Sequence, residues 1–374
     1  MNYTDFDEPI TDDEDFLELM QLFLDDEEEP LVSKNIRKRP DYFNILSEKE
    51  FVERFRLTKE GALEVLEKIS DHIARKTERN HAVTPITMLL VTLRFYATGS
   101  MLIVVGDFCG IDKSTASRIV AQVSMAIARL YKQYIKMPDT DDEKNYSKSR
   151  FYAISRFPSC IGAIDCTHVK ILSPGGDNAE IYRNRKQFFS FNVQAVCDAD
   201  LRFINIVARW QGSAHDSTIF NNSRLRARLE QNEFDGCVIV GDSGYAVKPY
   251  LLTPLSNPHT REENLYNESQ IRTRNVIERC FGIWKRRFPV LAFGMRVRLD
   301  RIQPIIVATA VLHNIARMRN IPDPEYNPDV EEAVHYLENV NNNNYAVGDE
   351  ARIGPNNRAR HALINNYFRN LLLQ

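Results

Sequence analysis

The chain of 374 residues lacks the features that mark several special classes of protein. No apolar run reaches the roughly 18–20 residues that cross a bilayer, so an integral membrane protein is not expected. The first residues are acidic, with no basic stretch ahead of an apolar one, so no secretory signal is predicted. None of the six cysteines forms a CxxC pair, which argues against a zinc site and a disulfide framework.

Basic residues are missing from the start of the chain. Residues 1–30 hold thirteen Asp or Glu and no Lys or Arg, and the rest carries 48 basic and 38 acidic residues, a net charge of +10. A basic body is typical of proteins that bind a polyanion, and an ordinary solvated surface is the alternative. We predict an acidic tail over residues 1–34 that is disordered, although its apolar residues could form a short amphipathic interaction helix.

Hydrophobic periodicity divides the rest of the chain into three regions. Residues 35–145 have a helical pattern, and the polar stretch 136–150 is predicted to be a linker. Residues 146–320 follow the order β, β-β, α, β, α, α, which predicts an α/β fold with a mixed sheet flanked by helices. Residues 321–374 are predicted to form an Asn-rich loop and a C-terminal helix.

A helix-turn-helix is predicted inside the helical region. A turn near Gly110 joins two helical segments, and Asp112 or Ser114 can cap the second segment. In a helix-turn-helix the start of the second helix faces base edges and phosphates, whereas ordinary helix packing is the alternative. We therefore predict that Lys113, Ser114 and Arg118 contact DNA.

Two apolar strand patterns each stop at an aspartate, Asp165 in IGAID and Asp242 in CVIVGD. A carboxylate at the end of a core strand is costly unless it is paired. Sites in α/β sheets gather at the carboxyl ends of strands. If the two strands are neighbours, a divalent cation would relieve the repulsion between the carboxylates, and oxygen ligands favour Mg²⁺ or Mn²⁺.

A third carboxylate, Glu278, lies on a predicted helix that has an apolar stripe for packing on the sheet. Glu278 falls at the edge of this stripe, from which it can point toward the strand ends. The alternative is an exposed Glu278 that pairs with Arg274 one helical turn earlier.

Asp165, Asp242 and Glu278 together resemble the D-D-E triad of RNase H-like transposases. The segments IGAIDCTHV, YRNRKQFFSFNVQAVCD, WQGSAHDSTIF, GDSGY, NVIERCFGIWKRRFP and VLHNIA occur in the order seen in the PIF/Harbinger superfamily. The resemblance extends over about residues 84–320. The chain is similar to Harbinger transposases and to the nucleases of the DDE superfamily that derive from them.

The resemblance implies an RNase H-like core and a divalent-metal-dependent DNA endonuclease. Asp165, Asp242 and Glu278 would be catalytic and would hold the metal, with Asp216 as a fourth ligand, although Asp216 could also be a helix N-cap. The implied reaction is a two-metal, in-line hydrolysis of a phosphodiester bond, with strand transfer if transposition survives. The alternative is a non-catalytic DNA-binding or scaffold protein that keeps the transposase fold.

Basic residues near these carboxylates suit a DNA backbone. Arg183, Arg185 and Lys186 in YRNRK, together with Lys285 on the helix of Glu278, are predicted to bind phosphates without reading sequence.

The resemblance also implies a partner, a Myb/SANT-like DNA-binding protein. The basic cluster at 34–40 is a weak nuclear-import signal, so we predict a nuclear and cytoplasmic location with nuclear entry that depends on this partner. Cleavage of paired DNA ends would favour a homodimer, and no membrane association is expected.

Overall fold

The computed structural model describes residues 39–73, 82–338 and 357–373. The predicted acidic tail, most of the basic cluster at 34–40 and the Asn-rich stretch therefore lie outside the described residues.

A group of helices precedes the sheet. They are α1 (Tyr42–Ile45), α2 (Glu48–Phe55), α3 (Lys59–Ile73), α4 (Pro85–Thr98), α5 (Leu102–Cys109), α6 (Lys113–Ala128), α7 (Tyr131–Tyr134) and α8 (Asp141–Ser155). The turn after α5 contains Gly110 at φ 69°, and Asp112 caps α6 by accepting a 2.7 Å hydrogen bond from the Thr115 N–H. The sequence predicts both features correctly.

The polar stretch 136–150 is not a linker, because α8 covers most of it. Thr140 and Glu143 form a reciprocal capping box at the start of this helix, and Phe151 is buried on its inner face. The helix packs on the first strand of the sheet, and it runs through the predicted domain boundary at residue 145. The prediction was wrong because α8 has little apolar periodicity, so its cap was its main signal.

The sheet has the strand order β3-β2-β1-β4-β5. Its strands are β1 (Cys160–Lys170), β2 (Ser190–Cys197), β3 (Phe203–Gln211), β4 (Val238–Val240) and β5 (Leu251–Leu252). The first three strands pair antiparallel, whereas β4 lies parallel to both β1 and β5. This mixed sheet with flanking helices confirms the predicted α/β class and is consistent with an RNase H-like DDE fold.

Further helices follow the third strand. They are α9 (Asp216–Asn221), α10 (Arg224–Glu230), α11 (Arg261–Arg287), α12 (Val290–Phe293), α13 (Leu299–Met318), α14 (Pro328–Glu338), α15 (Arg358–Ala362), a π-helical turn (Leu363–Phe368) and α16 (Arg369–Leu371). A short 3₁₀ turn at Ala179–Tyr182 lies earlier in the chain, between β1 and β2. No helix among the described residues is long and apolar enough to cross a membrane.

One continuous core joins the sheet to the helices around it. Helix α11 packs on β1, and its fully buried Trp284 meets the Phe203 ring of β3 at 5.0 Å. Helix α13 lies between β3 and α6, so the helical region shares the core of the sheet domain. This packing holds α11 firmly against the strand that carries Asp165.

Candidate active site

Asp165 lies in the middle of β1 rather than at its end. The strand continues to Lys170 because it pairs with β2 along its whole second half. Its parallel pairing with β4 stops at Ala163, opposite Val240. Asp165 is therefore two residues beyond the last parallel pair, where β4 has ended and the sheet opens.

Asp242 follows β4 at this same opening. Its Oδ1 accepts a 2.9 Å hydrogen bond from the Gly244 N–H. A Cβ atom on Gly244 would lie 3.1 Å from that oxygen, so a larger residue would crowd the carboxylate. Because β1 and β4 are parallel neighbours, Asp165 and Asp242 each lie two residues beyond the last pair, Ala163 with Val240. The condition that the sequence set for their adjacency is therefore met.

Glu278 reaches the site from α11. Arg274 Nη1 lies 2.8 Å from Glu278 Oε1 and 3.3 Å from Asp165 Oδ2. The pair with Arg274 one turn earlier is thus present, yet the same guanidinium also brings Glu278 to Asp165. The two alternatives considered for Glu278 therefore occur together.

Asp216 is the first residue of α9, and it does not cap that helix. His215 is the N-cap residue and makes no side-chain cap bond. Asp216 Oδ1 instead accepts a 2.9 Å hydrogen bond from Nδ2 of the buried Asn192 on β2. Asn192 thereby aims the Asp216 carboxylate across the sheet toward β1.

The electrostatics show that these carboxylates share one space. Burial raises the pKa of Asp165 well above its ordinary value, Asp242 and Asp216 raise it further, and Arg274 lowers it. Burial also raises the pKa of Asp242, as do the charges of Asp216 and Glu278. Each effect of a like charge favours the neutral acid, so a bound cation would stabilise the ionised cluster.

The donor chemistry of this cluster fits a hard divalent cation. All four side chains offer carboxylate oxygens, the ligands that Mg²⁺ and Mn²⁺ favour. In this conformation, however, the described residues contain no group of three His, Cys, Asp or Glu side chains arranged to hold a metal ion. The guanidinium of Arg274 occupies part of this space, since it contacts both Asp165 and Glu278.

The predicted DNA contacts of the helix-turn-helix lie on the surface. Lys113, Ser114 and Arg118 are all exposed near the start of α6. The Ser114 hydroxyl donates to Asp112 at 2.7 Å, so it supports the helix cap as well. Their contact with DNA stays a prediction.

The YRNRK residues lie in different surroundings. Arg183 makes a bidentate pair with Glu180 at 2.7 and 2.9 Å, and the ammonium of Lys186 lies 5.8 Å from the Tyr336 ring. Arg185 Nη2 is 2.6 Å from Nδ1 of His215, the residue before Asp216. Arg185 is therefore the member of this group nearest the carboxylates.

Lys285 does not lie on a DNA-facing surface. It is fully buried under the sheet, where its ammonium donates a 2.6 Å hydrogen bond to Oγ1 of Thr167 on β1. The prediction of a DNA contact was wrong because Lys285 falls on the inner face of α11, next to Trp284. Its role is to tie that helix to β1.

Sequence reasoning missed two residues that shape the site. The sequence indicates Arg274 only as a surface partner of Glu278, and it gives Asn192 no role. A polar residue inside the apolar run FNVQAV is the one signal that could have pointed to Asn192. The contact of Arg274 with Asp165 spans 109 positions of sequence, so no local pattern could reveal it.

Comparison with known proteins shows which family the chain belongs to. Residues 164–314, which include all four carboxylates, match the DDE superfamily endonuclease family. The chain is 32% identical over 255 residues to "Putative nuclease HARBI1" of Homo sapiens, a match that covers 67% of this chain and 73% of that protein. It is 31% identical over 248 residues to "Protein ALP1-like" of Arabidopsis thaliana, covering 60% of this chain and 59% of that protein. No solved structure matches the chain.

The human relative carries the name of a nuclease, and the matched family is one of endonucleases. A nuclease domain of this kind implies DNA as its substrate. The fold, the order of the motifs and the level of identity all indicate the same family. The chain therefore belongs to the Harbinger-derived family of DDE nucleases.

Proposed function

We propose that this protein is a divalent-metal-dependent DNA endonuclease that hydrolyses phosphodiester bonds at Asp165, Asp242 and Glu278, with Asp216 as a fourth carboxylate. The observation that carries the proposal is the position of these side chains. Asp165 and Asp242 lie two residues beyond the last pair of the parallel strands β1 and β4. The guanidinium of Arg274 contacts both Asp165 and Glu278. Buried like charges are costly, and they gather where a cation is bound.

The residues of the chain would prepare the reaction by fixing the carboxylates. The Cys166 N–H donates to Asp165 Oδ1 at 2.8 Å and so directs Oδ2 outward, while Gly244 and Asn192 orient Asp242 and Asp216. Bound divalent cations would supply Lewis acidity and an activated water for an in-line displacement at phosphorus. The packed sheet buries Asp165 from behind, and Arg185 can hold the DNA backbone beside Asp216.

Nicking of supercoiled plasmid tests this proposal. The full chain should nick plasmid with Mg²⁺ or Mn²⁺, and chelator should abolish the reaction. Asp165→Asn, Asp242→Asn and Glu278→Gln should each lower the rate at least about 100-fold, because loss even of a residue supporting a metal ligand commonly costs 10–100-fold. Glu230→Gln is the matched control. This exposed carboxylate on α10 pairs with Arg226 and not with the site, so its replacement should leave nicking unchanged.

A second candidate function is a non-catalytic DNA-binding or scaffold role. It is favoured by the ion pairs of Arg274, which already neutralise part of the carboxylate charge. That function predicts DNA binding without nicking under any metal. The three carboxylate variants would then bind DNA like the parent chain, and plasmid would stay supercoiled in every reaction.

We also propose that a Myb/SANT-like DNA-binding protein brings this chain into the nucleus, and that the chain is otherwise cytoplasmic. The proposal rests on the family and on the weakness of the basic cluster at 34–40. Fluorescence imaging of the tagged chain, expressed alone and with such a partner, tests it. Full nuclear accumulation of the chain expressed alone would contradict it.

A further inference from the structure

One nitrogen of Arg274 on α11 contacts carboxylates of two different elements. Nη1 lies 2.8 Å from Glu278 on its own helix and 3.3 Å from Asp165 on β1. The side chains of Arg274 and Asp165 are only 16% and 7% exposed, so water screens this contact weakly.

The position of this guanidinium coincides with the space between two proposed metal ligands. A divalent cation that binds both Asp165 and Glu278 needs the oxygens that now face Nη1. Arginine and metal therefore compete for the same two carboxylates.

The displaced guanidinium of Arg274 could bind a DNA phosphate. Its planar fork matches a phosphate as well as a carboxylate, and a DNA backbone must bring phosphates to this opening if the site cleaves DNA. If a phosphate binds the Arg274 guanidinium, the carboxylates of Asp165 and Glu278 become available to the metal. Binding of DNA and binding of the cation would then assist each other, as linkage requires.

We propose that Arg274 is a positioning residue that bridges Asp165 and Glu278 before the cation is bound, and that moves to a DNA phosphate when the cation binds. The inference rests on the proposed function, because it assumes a cation at these carboxylates and DNA beside them. It adds an exchange to that function, in which Arg274 leaves the two carboxylates for a phosphate and the cation takes its place. Without DNA the Arg274 bridge weakens binding of the cation, and DNA strengthens it by binding the guanidinium.

Titration with Mn²⁺ followed by electron paramagnetic resonance tests this exchange without measuring cleavage. The full chain is compared with Arg274→Gln and Arg274→Lys, each with and without a short DNA duplex. The duplex carries methylphosphonate links, which resist cleavage, next to ordinary phosphates, which Arg274 can bind. Without DNA, Arg274→Gln should bind Mn²⁺ about ten-fold more tightly than the parent, because the competing cation is gone. Arg274→Lys should lie between them, since an ammonium can reach the same oxygens only as a point charge.

The response to DNA separates positioning from a structural role. DNA should tighten Mn²⁺ binding several-fold in the parent chain, and this gain should vanish in Arg274→Gln. Arg272→Gln is the matched control, because Arg272 makes the same kind of pair with Glu268 at 2.7 Å on an exposed face of α11. Its Mn²⁺ affinity and its response to DNA should equal those of the parent.

Each contrary result has a distinct meaning. Unchanged or weaker Mn²⁺ binding by Arg274→Gln and by Arg274→Lys, with folding verified by circular dichroism, would overturn the exchange while leaving the nuclease proposal intact. Failure of the parent chain to bind Mn²⁺ with or without DNA would overturn the proposed function, and the exchange with it.

Discussion

At the scale of single residues, two buried histidines make stability depend on pH. Burial is the main cause that lowers the pKa of His313 and of His168 to about 3 each, far below the ordinary 6.5. In the unfolded chain both rings take up protons below about pH 6.5, whereas the folded rings stay neutral down to about pH 3. The folded state therefore loses stability as the pH falls through this window, by up to about 1.4 kcal/mol per pH unit for each ring.

We expect His313→Gln to reduce this dependence. Urea unfolding at pH 7, 6 and 5 should show a smaller loss of unfolding free energy for the variant than for the parent, because one of the two rings no longer titrates. The exposed His259 provides the control, and His259→Gln should keep the parent slope. Identical slopes for His313→Gln and the parent would show that His313 is not held neutral by the fold.

Elements, rather than single residues, explain how α11 comes to carry one wall of the site. The helix starts at a capping box formed by Thr260 and Glu263, and Gln270 donates to the Gly241 carbonyl at 2.7 Å, just before Asp242. Further along, Lys285 bonds to Thr167. These two polar contacts fix the helix on either side of Glu278, so its carboxylate meets β1 at a set position.

The C-terminal helical turn supports the same wall from behind. Phe368 is fully buried, and its ring lies 5.5 Å from Tyr266 on α11 and 6.0 Å from Phe157. Phe368→Ala should lower the free energy of unfolding by about 3–5 kcal/mol, as removal of a buried aromatic ring commonly does. Urea denaturation measures this. Leu373→Ala, at an 82% exposed position, should change it little, and a similarly small change for Phe368→Ala would contradict the packing.

The secondary-structure elements also show how much of the fold can be predicted from the sequence. Strand alternation and caps correctly predict a mixed sheet and the start of α6, because these depend on local patterns. The adjacency of Asp165 and Asp242 followed only if β1 and β4 were neighbours, and the sheet meets that condition. The length of β1 could not be predicted, since pairing with β2 extends it past Asp165. The burial of Lys285 and the bridge by Arg274 depend on how α11 lies on the sheet, which no local pattern encodes.

At the scale of the whole molecule, charge is divided between two parts of the chain. Residues 1–30 carry thirteen acidic residues, and the remainder has a net charge of +10. Acidic residues near a basic surface oppose the binding of DNA, and salt screens this opposition over about 10 Å at 0.1 M.

Replacing the five acidic residues 25–29 by their amides should therefore tighten DNA binding several-fold at low salt. Fluorescence anisotropy with a labelled duplex at several salt concentrations measures the effect, which should shrink as salt rises. Equal affinities at low salt would show that the charge of this segment does not affect the binding of DNA.

The central claim is that Asp165, Asp242 and Glu278 form a divalent-cation site, and anomalous diffraction from crystals soaked in Mn²⁺ tests it most directly. We expect an anomalous peak within coordination distance of Asp165, Asp242 and Glu278, with Arg274 withdrawn from the bridge it makes between Asp165 and Glu278. An absence of any peak there at saturating Mn²⁺, with Arg274 still in contact with both carboxylates, would contradict the account.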